Sequence, residues 1–191
     1  MGRCDWVDLD EELYVKYHDE EWGVCVHDDK KLFELLILEG MQAGLSWITV
    51  LRKREFYREA LDDFDYNKIA RYDEIKVREL LNNEKIIRNK LKIESIILNA
   101  RVFIEIQKEI GSFDKYIWGF VNYKQIQNNF RSVEEVPART LLSEKISRDL
   151  KRRGMNFVGP VIIYSYMQAI GLVNDHIKKC FRYVELKNKK Y

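Results

Sequence analysis

The chain has 191 residues, of which 46% are hydrophobic and 34% charged, so it can bury a sizeable core and is not a disordered chain. It has no run of about 18 apolar residues, which excludes an ordinary transmembrane helix. The first ten residues lack the apolar stretch of a signal peptide. Three widely spaced cysteines argue against a disulfide framework, and the net charge is only +2. We therefore expect one unit spanning residues 1–191, cytoplasmic, monomeric and not bound to a membrane.

Apolar residues recur at helical spacing along most of the chain, which predicts an all-α fold. The predicted helices run from a cap at Asp10 to Tyr17, from a cap at Asp28 to Ala43, from a cap at Ser46 to Leu61, for a short stretch after Asp65, and then over 86–110, 113–120, 141–153 and 160–170. The apolar face of the helix over 86–110 is predicted to contain Ile87, Leu91, Ile97, Ala100 and Ile104. Only Val24–Val26 has the pattern of a strand, and residues 122–137 are predicted to form a loop with one helical turn.

Four cysteine and histidine side chains near the two ends of the chain form a candidate metal site. His176 and Cys180 are four residues apart, so on a helix they would face the same way, one turn apart. Cys4 and His18 would complete a Cys2His2 set, which suits a structural zinc ion with protein ligands only. Such a site would clamp residues 4–18 to residues 176–180. Other residues, Cys25 and His27, are alternative ligands by composition, although a spacing of two would point them to different faces of a helix.

One acid stands within a strongly apolar run, where Leu35 to Leu38 are followed by Glu39. A buried carboxylate is costly unless something bonds to it, so Glu39 has a core donor or faces a pocket. Aromatic rings around such an acceptor would suit a flat, nitrogen-rich ring, particularly a cationic one. The alternative is that these rings belong to the core and that Glu39 is half-exposed. The aromatic residues nearest in sequence are Tyr14, Tyr17, Trp22 and Trp47.

The segment from Leu150 to Val161 has the features of a helix-hairpin-helix element, which we place at about 141–170. A basic helix ends at Gly154, and Gly159 with Pro160 opens the next helix, whose backbone N–H groups could bind a phosphate. Charged side chains flank the hairpin at Lys151, Arg152 and Arg153. Residues 139–191 carry 12 Lys and Arg against 4 Asp and Glu. This basic region is interpreted as a phosphate-facing surface or, alternatively, as a solvated helix face with a lysine-rich tail over 187–190.

Five strings taken together are more specific than any single motif. In these segments the chain resembles the 3-methyladenine DNA glycosylase I family. The matching segments are residues 3–6, 17–24, 38–51, 153–160 and 164–176. This family is a constitutive bacterial type within the helix-hairpin-helix DNA glycosylase superfamily. The resemblance extends from residue 3 to about residue 180. One departure is Cys25, where relatives usually have proline.

The resemblance implies an all-helical hydrolase for base-excision repair. It would flip 3-methyladenine out of double-stranded DNA, release the free base and leave an abasic site. In this interpretation Glu39 contacts the base, and Tyr17 and Trp47 stack on it, beside Tyr14 and Trp22. The zinc ligands implied by the resemblance are Cys4, His18, His176 and Cys180. The DNA contacts are expected at Gln42, Gly44 and the wedge residue Leu45, and at Lys151, Arg153 and Gly159.

Two mechanisms are compatible with the sequence. Glu39 could only position the base while water attacks the sugar, or a second acid such as Asp175 could assist the water. We favour the first, because Asp175 adjoins a proposed zinc ligand and is expected to support His176. Lysine-based lyase chemistry is not excluded, although no lysine stands out near the pocket residues. The competing classes are a non-catalytic, zinc-stabilised DNA-binding protein and a zinc hydrolase.

Overall fold

The computed structural model describes residues 2–188, and this part of the chain is mostly helical, as predicted. None of its helices is long and apolar enough to cross a membrane. Two short strands, β1 (Ile126–Gln127) and β2 (Val173–Asn174), pair in parallel. Two 3-10 turns cover Asp62–Phe64 and Val133–Glu135. The α-helices are α1 (Glu12–Glu20), α2 (Asp29–Gln42), α3 (Trp47–Leu51), α4 (Arg54–Ala60), α5 (Tyr66–Ile69), α6 (Glu74–Asn82), α7 (Lys90–Ile110), α8 (Phe113–Gly119), α9 (Leu141–Arg152), α10 (Pro160–Ala169) and α11 (Phe181–Asn188).

Helix α2 is the centre of the core. Its residues 32–41 are all buried, and it packs against α3, α7, α8 and α10. The side chain of Asp28 accepts a hydrogen bond of 2.8 Å from the backbone N–H of Lys31, which caps the helix as predicted. Because the helix is enclosed on all sides, its two inner acids, Glu34 and Glu39, both lie in the core.

Several predicted elements differ from the structure. The helix predicted from Ser46 to Leu61 is divided into two, because the chain bends at Arg52 and Lys53. The side chain of Arg54, just after the bend, is buried in the core. Helix α6 was not predicted. The first helix begins after Glu11 rather than Asp10 and has no side-chain cap. Leu91 is 68% exposed, so its place on the apolar face of the long helix is wrong.

The two ends of the described chain meet. Phe181 donates its backbone N–H to the carbonyl of Gly2 over 3.1 Å. The segment predicted as a strand does not form one, and Val26 instead donates its backbone N–H to the carbonyl of Ile170 at the end of α10 over 3.0 Å. Gly171 has a φ of +71°, and a Cβ on it would lie 2.4 Å from the carbonyl carbon of Val24, so only glycine fits there. This contact brings the first quarter of the chain against the last.

Helices α9 and α10 pack against each other and are connected by the hairpin at 154–159. The turn needs Gly154, whose φ is +103°. Pro160 is the first residue of α10, where its missing N–H costs nothing. The two helices and the turn between them therefore lie where the sequence predicts them, while the helix-hairpin-helix assignment and its role in gripping DNA stay predictions.

Candidate active site and metal centre

Four buried side chains at the meeting point of the chain ends form a cluster able to hold a metal ion. The ligand atoms of Cys4, His18, His176 and Cys180 all lie within 4.8 Å of one another. The Sγ atom of Cys180 is 3.4 Å from a ring nitrogen of each histidine, and the Sγ atom of Cys4 is 3.5 Å from Nδ1 of His176. Usual zinc–sulfur and zinc–nitrogen bond lengths place tetrahedral ligand atoms about 3.5 Å apart. The three sulfur–nitrogen separations therefore fit tetrahedral coordination of one ion.

The outer ring nitrogens of both histidines also have partners. Nδ1 of His18 lies 2.7 Å from a carboxylate oxygen of Asp19, and Nε2 of His176 lies 2.9 Å from the backbone oxygen of Trp22. Such contacts orient a metal-binding imidazole and select its tautomer. His18 thus presents Nε2 to the cluster and His176 presents Nδ1.

The local structure predicted for two of the four residues was wrong. His176 follows β2 in an irregular segment, and Cys180 precedes α11, so the two do not lie on one helix. The alternative ligands point elsewhere. Cys25 donates to the carbonyl of Gly171 over 3.6 Å, and His27 pairs with Asp114 over 2.7 Å.

The expected support of His176 by Asp175 is also wrong. The Asp175 carboxylate accepts hydrogen bonds from Asn128 at 2.6 Å, Tyr164 at 2.7 Å and Gln168 at 2.8 Å. Tyr164 and Gln168 are one turn apart on α10, so the carboxylate braces that helix rather than the imidazole. Asp175 also lines a cavity with aromatic walls.

A cavity of about 340 Å³ lies beside the metal cluster. Its size is within the range of small-ligand pockets. Helices α1, α2, α3 and α10 form most of its wall, together with the segment before α1 and residues 133–138. All the predicted base-contacting residues line it, and so does Gln42. The predicted residues in the wall are Tyr14, Tyr17, Trp22, Glu39 and Trp47.

The aromatic rings of the cavity contact one another. Tyr17 and Trp47 have ring centroids 5.3 Å apart at an interplanar angle of 51°. Trp6 meets Trp22 edge-on at 5.1 Å and Tyr14 at 5.3 Å. Trp6 was not among the predicted contact residues. It lies outside the helical pattern, and only the short string at residues 3–6 pointed to it.

Glu39 is the distinctive polar group of the cavity. It is 3% exposed, and burial raises its pKa to about 8. Within residues 2–188, its Oε2 and the indole nitrogens of Trp6 and Trp47 are buried without a hydrogen-bond partner. Burial, with Glu39 nearby, also raises the pKa of Tyr17 well above its usual value. Buried polar atoms usually have partners, so one acceptor and two donors are available here to a bound molecule.

The residues predicted to touch DNA lie on two segments. In the loop after α2, Gly44 has a φ of +77° and Leu45 is 41% exposed. At the hairpin, Lys151 is exposed and lines a surface concavity with Gly159. Arg153 is already engaged in ion pairs with Glu109 and Asp149. These roles stay predictions.

The guanidinium of Arg153 makes two intramolecular ion pairs near the protein surface. It lies 2.6 Å from Glu109 and 2.8 Å from Asp149, and it also sits over the ring of Tyr116. Arg153 thus ties α9 to the end of α7. A contact from Arg153 to a phosphate would have to compete with two carboxylates, so Lys151 is the better placed cation.

The helical fold, the aromatic walls and the unpaired acid define a protein that binds a planar ring with hydrogen-bonding edges. Comparison with known sequences specifies that class further. The profile of the methyladenine glycosylase family matches residues 6–183. The chain belongs to this family.

The similarity to individual relatives covers nearly the whole chain. DNA-3-methyladenine glycosylase 1 of Escherichia coli strain K12 is 48% identical over 183 residues, which cover 96% of this chain and 97% of that protein. A crystal structure of 3-methyladenine DNA glycosylase I, also 48% identical, superposes with a TM-score of 0.92 over 94% of this chain and 98% of that one. A variant of 3-methyladenine DNA glycosylase I in complex with 3-methyladenine is 34% identical, with a TM-score of 0.93 over the full length of both chains.

Proposed function

We propose that this protein removes 3-methyladenine from DNA by hydrolysing the bond between the base and its sugar. The single observation that carries the proposal is Glu39, an acid with an unpaired oxygen in a cavity walled by aromatic rings. The relatives named above carry the same activity in their names. We further propose that the enzyme is monofunctional. Among residues 2–188, no lysine lines the cavity.

Recognition depends on the charge of the damaged base. Methylation at N3 gives adenine in DNA a positive charge, and a carboxylate near the ring attracts that charge and accepts a hydrogen bond from the amino group. Tyr17 and Trp47 provide stacking surfaces worth about 1–3 kcal/mol per base. Normal adenine would stack equally well but lacks the charge. A cation in the cavity also stabilises the ionised form of Glu39, whose pKa burial has raised.

The bond that breaks joins C1′ of the sugar to N9 of the base. Its electron pair moves to the positively charged base, which leaves as a neutral molecule. Water adds its hydroxyl to C1′ and gives its second proton to the solvent. Since the leaving base is neutral, it needs no acid to protonate it. The role of Glu39 is to hold and orient the base, and Asp175 keeps α10 in place along the cavity wall.

The substrate base must first leave the DNA helix, which costs a few kcal/mol of unstacking. We propose that Leu45 enters the gap, with Gln42 and Gly44 shaping its loop. Phosphate contacts at the hairpin, from Lys151 and the backbone near Gly159, would hold the strand.

We propose that the four-residue cluster holds one structural zinc ion. Four protein ligands leave no position for a reactive water, so this arrangement disfavours a zinc hydrolase. Because metal binding and folding are coupled, Cys180→Ser is expected to lose zinc and to melt at a markedly lower temperature. Cys25→Ser is the matched control, and it should keep one zinc per chain. Metal content by mass spectrometry and thermal melts decide the matter, and full zinc content in the Cys180 variant would contradict the clamp.

The enzymatic function is tested by incubating the protein with methylated duplex DNA and measuring free bases by chromatography. We expect release of 3-methyladenine from wild type, and little release from Glu39→Gln. A zinc-loaded wild-type protein that binds the DNA but releases no base would instead support the non-catalytic DNA-binding protein.

A further inference from the structure

A lysine on α7, far from α2 in sequence, makes hydrogen bonds to the end of α2. Lys92, in the first turn of α7, is only 6% exposed. Its Nζ donates to the backbone carbonyls of Met41 at 2.8 Å and Ala43 at 2.6 Å. It does not line the aromatic cavity. Its amino group therefore sits at the point where α2 ends and the loop that carries Leu45 begins.

These hydrogen bonds answer a local need. The last carbonyls of a helix have no partner within it, and the C-terminal end carries a partial negative charge. Lys92 satisfies two such carbonyls with a positive charge. Directly afterwards the chain leaves the helix at Ala43 and turns through Gly44, and the N–H of Leu45 donates back to Gln42 over 2.6 Å. The turn that exposes Leu45 thus starts at the carbonyls that Lys92 holds.

The same helix holds the hairpin. The side-chain amide of Asn99 donates to the carbonyl of Asn156 and accepts from its backbone N–H, both at 2.9 Å. Asn99 comes seven residues after Lys92, which is two turns, or about 10 Å, along the same face of a helix. Helix α7 therefore anchors both segments through which the protein is proposed to touch DNA.

We propose that Lys92 is a positioning residue for base flipping, because it fixes the loop from which Leu45 enters the DNA. The inference rests on the proposed function. Lys92 touches neither the base nor the reacting bond. Without its amino group, the carbonyls of Met41 and Ala43 lose their partner and Leu45 loses its defined place. Base flipping then suffers while the aromatic cavity stays intact.

The test compares two substrates that differ in the need for a wedge. Methylated poly(dA) offers 3-methyladenine in a single strand, where no duplex must be opened. The same strand annealed to poly(dT) requires flipping. The variant is Lys92→Met, which keeps the length of the side chain. The matched control is Lys90→Met, which removes the same charge from the same helix at an exposed position, where the lysine pairs with Glu94 at 3.7 Å.

We expect Lys92→Met to lower kcat/KM on the duplex about tenfold, since small misplacements of a positioned group are costly. On the single strand the loss should be less than about twofold, and the affinity for free 3-methyladenine should not change. Lys90→Met should resemble wild type on both substrates. An equal loss on both substrates, or no loss on the duplex, would overturn the proposal.

A double variant tests whether Lys92 acts through Leu45. If it does, Lys92→Met should add almost nothing to the duplex defect of Leu45→Ala, because residues that act as one unit are not additive. Defects that multiply would contradict the inference. Should Lys92→Met prove too unstable to assay, Lys92→Arg and Lys92→Gln take its place, and only Arg is expected to retain duplex activity. If wild type releases no base from either substrate, the proposed function itself fails.

Discussion

Two buried acids on α2, five residues apart, have opposite surroundings. Glu34 is within 2.8 Å of Arg54, 2.7 Å of Arg58 and 3.1 Å of Lys31. Burial alone would raise its pKa, but these cations hold the pKa of Glu34 below its usual value. Glu39 has no cationic partner within residues 2–188, and burial raises its pKa to about 8.

The difference shows that burial by itself does not identify a functional acid. Both side chains are more than nine-tenths buried. What separates them is whether the protein supplies the opposite charge. For Glu34 it does, and the acid joins helices α2 and α4. For Glu39 it does not, and a positively charged ligand can take that place.

Of the substitutions on and around these two acids, Glu34→Gln is expected to lower stability most. Its loss leaves the buried Arg54 with Glu21 as its remaining acidic partner, at 2.9 Å. Removing one member of a buried ion pair costs about 3–5 kcal/mol, so we expect the free energy of unfolding to fall by about 3 kcal/mol. Urea denaturation measures it. Affinity for 3-methyladenine should stay within about threefold of wild type, and a much larger loss would mean that the two acids are not separate in function.

Glu39→Gln is expected to reverse this pattern. A hydrogen bond to a charged group contributes about 1.5–3 kcal/mol, so the affinity for 3-methyladenine should fall about 10- to 100-fold. Titration followed by tryptophan fluorescence gives this value directly. Unchanged affinity would remove the acid from the proposed recognition.

The difference in stability between Glu39→Gln and wild type should depend on pH. Folding raises the pKa of Glu39 from 4.5 to about 8. The free energy of unfolding of wild type therefore falls as the pH rises from about 4.5 to about 8. The variant avoids that penalty. We expect the two proteins to be about equally stable near pH 4.5 and the variant to be the more stable above pH 8. Urea denaturation across this range would show a constant difference if Glu39 were ionised at low pH in the empty cavity.

Lys31→Met should have the smallest effect. Lys31 is partly exposed, and both arginines remain beside Glu34. Partly solvated ion pairs contribute about 0–1 kcal/mol, so the melting temperature should change by only a few degrees. A loss as large as that of Glu34→Gln would show that the lysine, not the arginines, neutralises the acid.

The sequence marks Glu39 as an acid in an apolar helix, but Glu34 fits the same description, so sequence alone cannot say which acid lacks a cationic partner. Both stand among apolar residues of one predicted helix. The cations that neutralise Glu34 come from Arg54 and Arg58, 20 and 24 residues later, and they reach it only because the chain bends before α4. Such pairing is tertiary and leaves no periodic signal. The place of Trp6 in the cavity was missed for the same reason.

The helices were predictable where local rules decide them. Asp28 and Asp65 cap their helices as expected, and Gly111 ends α7. The segment around His176 was not, because its shape comes from pairing with residues far away in sequence. The spacing of four suggested a helix, and the correct ligands were reached through incorrect local structure.

The meeting of the chain ends has a consequence for the order of assembly. Cys4 belongs to the four-residue cysteine and histidine cluster and also lines the cavity, while His176 is synthesised 172 residues after Cys4, and Cys180 later still. During synthesis the central helix could pack early, but the wall beside Trp6 and Trp22 has to wait for those late ligands. A nascent chain should therefore gain its helical core well before it can hold a damaged base.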